Sequence, residues 1–292
     1  MKRWRLSLPA PLAVARPVVR ALLWVGAAAI VVTAPVLLWS DGDASPSSTE
    51  ARTVPRDPAR APSPAQFAPR DVAVPILMYH VLSKPPADAA YPDLWVAPGA
   101  FRAQMRWLDD HGYEAVTLGT VLAHWRGRRA LPPRPVVITV DDGFRDTATV
   151  ALPVLAAHGW PGVLNLALHH LDVSWGLGER QIRKLLAGGW EIASHTLTHP
   201  DLTGTSDAQL NREIAGSKNA LEGRFGIAVE VFCYPAGRYD PRVLAAVRSA
   251  GYAAATTTIE GLGRREEPFT LRRIRIDGSD DLAAFARKLG AR

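Results

Sequence analysis

Beyond residue 70 the chain alternates short apolar runs with longer amphipathic segments. Most of the apolar runs are continuous rather than alternating, which is typical of strands that are covered on both faces. Predicted strands span residues 74–79, 115–118, 135–140, 162–168, 190–193, 229–232, 253–257 and 271–276, and predicted helices span 100–111, 147–158, 179–187, 206–225 and 241–250. This alternation predicts an α/β fold in the form of a distorted or incomplete (β/α) barrel, rather than an open doubly wound sheet.

The first 70 residues follow a different pattern. A basic segment over residues 1–20 precedes an uncharged apolar stretch over 21–39, close to the ~20 residues that a membrane-spanning helix needs. Positive charge on the near side predicts a cytoplasmic N-terminus and a transmembrane signal anchor, so that the protein is a single-pass cell-membrane protein with its domain outside. The alternative is a cleaved signal peptide and a secreted protein. Residues 40–70, rich in Pro, Ser and Ala, predict a disordered tether that leads into one domain over 71–292.

Composition narrows the classes of protein to be considered. With 292 residues, 48% of them hydrophobic, the chain can bury a large core. The net charge of +6 would permit nucleic-acid binding, but the basic residues form no stripe interleaved with aromatics, so we expect no nucleic-acid partner. The only cysteine, Cys233, excludes an internal disulfide framework. We expect a monomer that contacts the membrane only through its N-terminal helix.

Two polar segments directly follow predicted strands. Asp141, Asp142 and Gly143 follow one apolar run, and His195 and His199 follow another. Each pattern alone is weak, because Asp-Asp-Gly is ordinary turn chemistry and a bare His-x-x-x-His arises by chance. In a (β/α) barrel, however, the C-terminal ends of the strands meet at one mouth. A carboxylate and two imidazoles, brought to one side by a helical turn, would leave an open position on a divalent metal, and a spare carboxylate could move protons.

These segments resemble the motifs of a known family, the polysaccharide deacetylases or family 4 carbohydrate esterases. Residues 139–143 look like its first motif, Thr-Phe-Asp-Asp-Gly, and residues 195–200 match its second, His-Ser/Thr-x-x-His-Pro. The resemblance covers most of residues 74–276. It implies that Asp142, His195 and His199 bind a divalent metal, most simply Zn²⁺. It also implies that Asp141 is the general base that deprotonates the attacking water.

A third motif shows two departures. Residues 232–237 are similar to the family's Phe-Arg-x-Pro-Tyr-Gly, but Cys233 replaces the arginine that pairs with the base and Ala236 replaces the tyrosine whose backbone N–H stabilises the oxyanion. A backbone donor survives a change of side chain, so Ala236 can still supply it. Arg273, next to the last apolar run, is our candidate for the missing cation. Residues 75–80 look like the branch that includes exported poly-N-acetylglucosamine deacetylases.

The general acid is not supplied by any of the three motifs. The family's late Leu-x-His motif is absent, because no histidine follows His199. His80 ends the first strand and is the candidate acid, although a lone histidine could equally be a hydrogen-bonded structural residue. Trp95 and Trp160 are candidates for stacking on sugar rings, or for the core.

The expected reaction is metal-dependent N-deacetylation of an N-acetylglucosamine-containing cell-surface polysaccharide, with release of acetate. Two alternatives stay open. The lost arginine and the absent late histidine favour a wall-anchored glycan-binding pseudoenzyme without turnover. The same metal chemistry would also serve a hydrolase of a non-glycan amide.

Overall fold

The structure, a computed structural model, describes residues 67–290. The predicted cytoplasmic segment, the signal anchor and most of the tether lie outside the described residues. Within residues 67–290, no helix combines the length and the apolar character that crossing a membrane would require.

Seven parallel strands form a closed ring in the order β1-β3-β4-β5-β6-β7-β8, because β1 pairs with both β8 and β3. The short β2 pairs with the start of β3. The strands are β1 Ile76–Tyr79, β2 Glu114–Ala115, β3 Pro135–Asp142, β4 Val163–Leu166, β5 Glu191–Ser194, β6 Val231–Cys233, β7 Ala254–Glu260 and β8 Leu271–Arg275. The predicted (β/α) barrel is therefore confirmed, with a ring of seven strands where a complete barrel has eight.

Within residues 67–290, all helices but the last lie between strands along the chain. The sequence pattern does not predict the helix over 118–125 or the last one, over 282–288. The helices are α1 Pro98–Asp110, α2 Leu118–Trp125, α3 Leu152–Ala157, α4 Glu179–Ala187, α5 Asp207–Asn211, α6 Ser217–Phe225, α7 Pro241–Ser249 and α8 Leu282–Lys288. Turns of π-helix precede α3 and join α5 to α6, at Thr147–Ala151 and Arg212–Gly216. The strand predicted over 115–118 is wrong in its second half, because the Thr117 hydroxyl accepts a hydrogen bond from Thr120 N and starts α2 there.

Alternate residues of the strands belong to two apolar clusters. One contains Ile76, Val137, Val163 and their equivalents together with the buried face of α2, and it fills the barrel interior. The other lies between the strands and the surrounding helices. Further along most of the same strands the inward positions become polar but stay buried, at Thr139, Asp141, Asn165, His195, Thr256 and Arg273. The barrel interior is therefore apolar at its base and polar at its C-terminal mouth, where active sites of this fold form.

Candidate metal centre and active site

The backbone turns sharply where the two predicted segments leave their strands. Within residues 67–290, five non-glycine residues have positive φ, and three of them are Asp142 (74°), Thr196 (72°) and His199 (56°). Left-handed backbone is unfavourable for residues with a side chain and persists where the surroundings enforce it, often at functional sites. The helical turn expected for His195 to His199 is wrong, because two left-handed residues make this segment a loop.

A buried glutamate holds the histidine loop in place. Glu213, which is 3% exposed, accepts hydrogen bonds from Leu197 N and Thr198 N, both at 2.9 Å, and from the Thr198 hydroxyl at 2.7 Å. The sequence pattern did not single out Glu213, since it lies inside a predicted helix. The signal in the sequence is a glutamate at a helix position that the apolar spacing assigns to the buried side. Glutamates are rarely buried without partners, so such a position indicates a role for the side chain.

Three side chains converge on one point. Asp142 Oδ1 lies 3.6 Å from Nε2 of both His195 and His199, and the two Nε2 atoms are 3.1 Å apart. Ligands at ~2.1 Å from Zn²⁺ in a tetrahedral site stand ~3.4 Å from each other, so these spacings fit one ion. Burial lowers the pKa of His199 to about 4, which keeps its imidazole neutral and able to bind metal at neutral pH. These residues could hold a divalent metal.

The orientation of His195 depends on a main-chain oxygen. Its Nδ1 lies 2.7 Å from the carbonyl oxygen of Cys233, so Nδ1–H donates there and the Nε2 lone pair is directed towards Asp142. Burial raises the pKa of Asp142 to about 6, because this carboxylate loses water without gaining a direct cationic partner. A bound cation would remove that penalty. The donor set and its burial therefore suit a metal ion.

Asp141 lies beside this centre and has one occupied and one available oxygen. Its Oδ1 accepts hydrogen bonds from Arg273 Nη1 at 2.8 Å and from Asn165 Nδ2 at 2.7 Å. Its Oδ2 lies 3.8 Å from His80 Nε2, too far for a hydrogen bond, and accepts only a long, weak one from Cys233 Sγ, also at 3.8 Å. Burial alone would raise the pKa of Asp141, but Arg273 outweighs it and holds this pKa well below the usual range. Asp141 is therefore a charged carboxylate whose Oδ2 can accept a proton.

The cation beside Asp141 comes from β8 and not from the third motif. Arg273 is 1% exposed, and its Nη2 lies 3.4 Å from the Cys233 sulfur on β6. Its Nε also donates to Thr257 O at 2.7 Å, which fixes the guanidinium. Burial raises the pKa of the Cys233 thiol to about 12, so this side chain is neutral. The structure thus places Arg273 where the sequence leaves a gap in the motif.

A pocket of about 610 Å³ opens over these groups and is lined by His80, Asp142, His199, Ala236 and Tyr91, among others. Burial lowers the pKa of His80 to about 4, so this imidazole is neutral in the free protein at neutral pH. The two tryptophans proposed for stacking do not line the pocket. Trp160 is buried against His158, and Trp95 is half-buried outside the lining.

The turn at Ala236 presents main chain to the same pocket. Ala236 has a left-handed backbone with φ 51°. The following Gly237 has φ 68°, and a Cβ there would lie 2.0 Å from the Thr258 hydroxyl, so only glycine fits. The third motif therefore forms a left-handed turn that places Ala236 in the pocket lining, although its side chains differ from the family motif.

A parallel (β/α) barrel carries active sites at its mouth, and a carboxylate with two imidazoles is a donor set that hydrolases use to hold a metal. Residues 128–255 match the sequence model of the polysaccharide deacetylases. YxkH of Bacillus subtilis carries the name of a polysaccharide deacetylase. It is 30% identical to this chain over 73% of this chain and 74% of the YxkH sequence. This chain belongs to the polysaccharide deacetylase family, as the motifs predicted.

Two further relatives extend the comparison. The deacetylase PplD of Streptococcus pyogenes, solved in complex with acetate, aligns with a TM-score of 0.70 and 26% identity over 75% of this chain and 98% of its own. The poly-β-1,6-N-acetyl-D-glucosamine N-deacetylase of Escherichia coli K12 is 23% identical over 73% of this chain, which spans only 38% of that longer protein.

Proposed function

We propose that this protein removes N-acetyl groups from an N-acetylglucosamine-containing cell-surface polysaccharide, with Zn²⁺ held by Asp142, His195 and His199. The observation that carries the proposal is the convergence of these three ligands beside a carboxylate that is kept charged by Arg273. When bound, the metal supplies a Lewis acid that polarises a carbonyl and lowers the pKa of water. The products are acetate and a glucosamine unit of the polymer.

The chain's own residues perform the proton transfers. Asp141 accepts the proton of the attacking water at Oδ2, because Oδ1 is engaged by Arg273 and Asn165. The backbone N–H of Ala236 donates to the oxyanion that develops on the acetamide oxygen. His80 is neutral before the substrate binds, and the negative charge of the oxyanion then favours transfer of the proton that Asp141 took from water, from Oδ2 to His80 Nε2, which lies 3.8 Å away. From there it donates the proton that the departing amine needs.

The substrate class is proposed from the chemistry and from the relatives. The Escherichia coli relative is named for poly-β-1,6-N-acetyl-D-glucosamine, and we propose a polymer of this kind for the present chain. We also propose that the protein is anchored at the outer face of the cell membrane through residues 21–39 and acts as a monomer. Arg273 beside Asp141 and His80 in the pocket lining offer side chains for the two roles that the motifs leave empty, which supports turnover rather than a pseudoenzyme.

Acetate release tests the proposal directly. Full-length protein loaded with Zn²⁺ should release acetate from poly-N-acetylglucosamine, and chitin oligomers and peptidoglycan would define its preference. His195→Ala should lose both bound metal and activity, because two remaining protein ligands rarely hold the ion. The matched control is His158→Ala, since His158 is paired with Asp109 away from the pocket. Stoichiometric metal in His195→Ala, or no acetate from any of the three polymers, would contradict the proposal.

A further inference from the structure

An exposed tryptophan lies beside the metal centre and has no part in the chemistry described above. Trp175, on the loop that follows β4, is 46% exposed. Large apolar side chains that stay exposed forgo the free energy of burial and commonly mark a binding surface, and Trp175 lies outside the pocket lining, against His170. The loop belongs to the C-terminal mouth of the barrel, where the substrate must enter.

The indole is exposed but firmly held. It packs on Phe144 with ring centroids 5.2 Å apart and against His170 at 4.5 Å. The Trp175 carbonyl accepts a hydrogen bond from Arg145 N at 3.0 Å, which ties the loop to the chain after Asp142. The next residue, Gly176, has no room for a side chain, because a Cβ there would lie 1.9 Å from the His170 carbonyl oxygen. The ring is therefore held by its neighbours while nearly half of the Trp175 surface stays exposed.

The same ring cluster contacts the segment that carries a proposed metal ligand. His170 Nδ1 donates a hydrogen bond to the main-chain oxygen of Asp142 at 3.0 Å. Trp175 is thus separated from the Asp142 backbone by a single side chain. A polysaccharide whose acetamide reaches Asp142 extends beyond the pocket, and Trp175 lies on the side of Asp142 that His170 covers.

We propose that Trp175, supported by Phe144 and His170, is a binding subsite for a pyranose ring of the polymer next to the unit that is deacetylated. Rings with equatorial substituents present C–H groups on each face, and these stack on flat aromatic side chains. This inference rests on the proposed function, since it takes the polymer from that proposal. It makes Trp175 a residue that favours long substrates over short ones.

Kinetics with long and short substrates test the subsite. In the full-length zinc protein, Trp175→Ala should raise KM for an N-acetylglucosamine pentamer about tenfold and leave kcat within about twofold. Trp175→Phe should give an intermediate KM, because a smaller aromatic face remains. For 4-nitrophenyl acetate, which is too small to reach the subsite, kcat/KM should be the same in both variants and the parent protein.

Phe67→Ala is the matched control, because Phe67 is a 41% exposed aromatic on a pocket with residues at the start of β2, away from the mouth. A pentamer KM for Trp175→Ala that equals that of Phe67→Ala overturns the subsite. Equal losses on the pentamer and on the small ester also overturn it, since they indicate a general disturbance of the site.

Calorimetry with the pentamer separates this inference from the proposed function. If Trp175→Ala binds the pentamer more weakly than the parent protein but the parent releases no acetate, the subsite is supported and the proposed deacetylase activity is contradicted. If the parent protein releases acetate and Trp175→Ala binds the pentamer as tightly as the parent, the deacetylase activity is supported and the subsite is contradicted.

Discussion

Replacing Arg273 by methionine should change both the free energy of unfolding and the pH dependence of stability and activity. Arg273 Nη1 lies 2.8 Å from Asp141 Oδ1, and the side chains are 1% and 2% exposed. Methionine matches much of the volume but leaves the Asp141 charge buried without its cation. Removing one member of a buried ion pair typically costs ~3–5 kcal/mol, because the remaining charge is desolvated and unpaired. We expect Arg273→Met to lower the free energy of unfolding at pH 7 by an amount in this range.

The pH dependence of the same variant has a definite sign. In the parent protein Arg273 holds the pKa of Asp141 well below its usual range against the opposing effect of burial. The carboxylate therefore contributes stability above the ordinary carboxyl pKa of about 3.9 and loses it as pH falls through the folded-state pKa. Without Arg273, burial raises the pKa of Asp141 above its usual value. The stability difference between parent and variant should then shrink on acidification, and the acid limb of kcat/KM should move to higher pH.

Urea unfolding at pH 7 and pH 4, together with a pH–rate profile, measures both effects. Arg272→Met is the matched control, since the neighbouring Arg272 is half-exposed and lies 3.6 Å from Glu267 at the surface. Exposed pairs of this kind are worth about 1 kcal/mol or less. If Arg273→Met unfolds at the same urea concentration as the control and keeps the parent acid limb, the ion pair does not have the role given to it here.

Three other changes test separate parts of the site. Asp141→Asn should keep its metal and stay folded, with a lower free energy of unfolding because Arg273 loses its charged partner, and it should lose on the order of 10²-fold or more in turnover; near-normal turnover would move the base elsewhere. His80→Ala should lower turnover with unchanged metal content, whereas loss of metal would make His80 a ligand. Glu213→Ala removes three hydrogen bonds to the histidine loop. Calorimetry should show Zn²⁺ binding weakened by ~10–100-fold. An unchanged affinity would show that the histidine loop keeps its conformation without Glu213.

The pattern of apolar runs located the strands of the ring because both faces of each strand are buried. It missed α2 for a related physical reason. Leu118, Val121, Leu122 and Trp125 are all buried, since this helix packs into the base of the barrel. These four positions have the helical spacing i, i+3, i+4 and i+7, but the helix has only eight residues, and the apolar run before it continues into its first turn, so that turn is taken for the end of the strand.

The site was predictable in its residue types and not in its local conformation. Strand ends and motif resemblance indicated Asp142, His195 and His199, which the structure brings together. The loop that positions the histidines depends on Glu213, which lies on another element, and on the Cys233 carbonyl, which any residue at that position would supply. Local sequence spacing holds no information about either partner.

Cys233 stands where the family motif has an arginine, and the barrel explains why this change can be tolerated. Inward positions of neighbouring strands face one mouth, so Asp141 can receive a guanidinium from any strand whose side chain is long enough. A small residue on β6 leaves space for the guanidinium from β8, whose Nη2 lies 3.4 Å from the Cys233 sulfur. Arginines at both positions would bring two buried cations against one carboxylate, which is electrostatically unfavourable. The two sequence departures, a cysteine in the third motif and an arginine on the last strand, are therefore one physical arrangement that keeps a single positive charge beside Asp141.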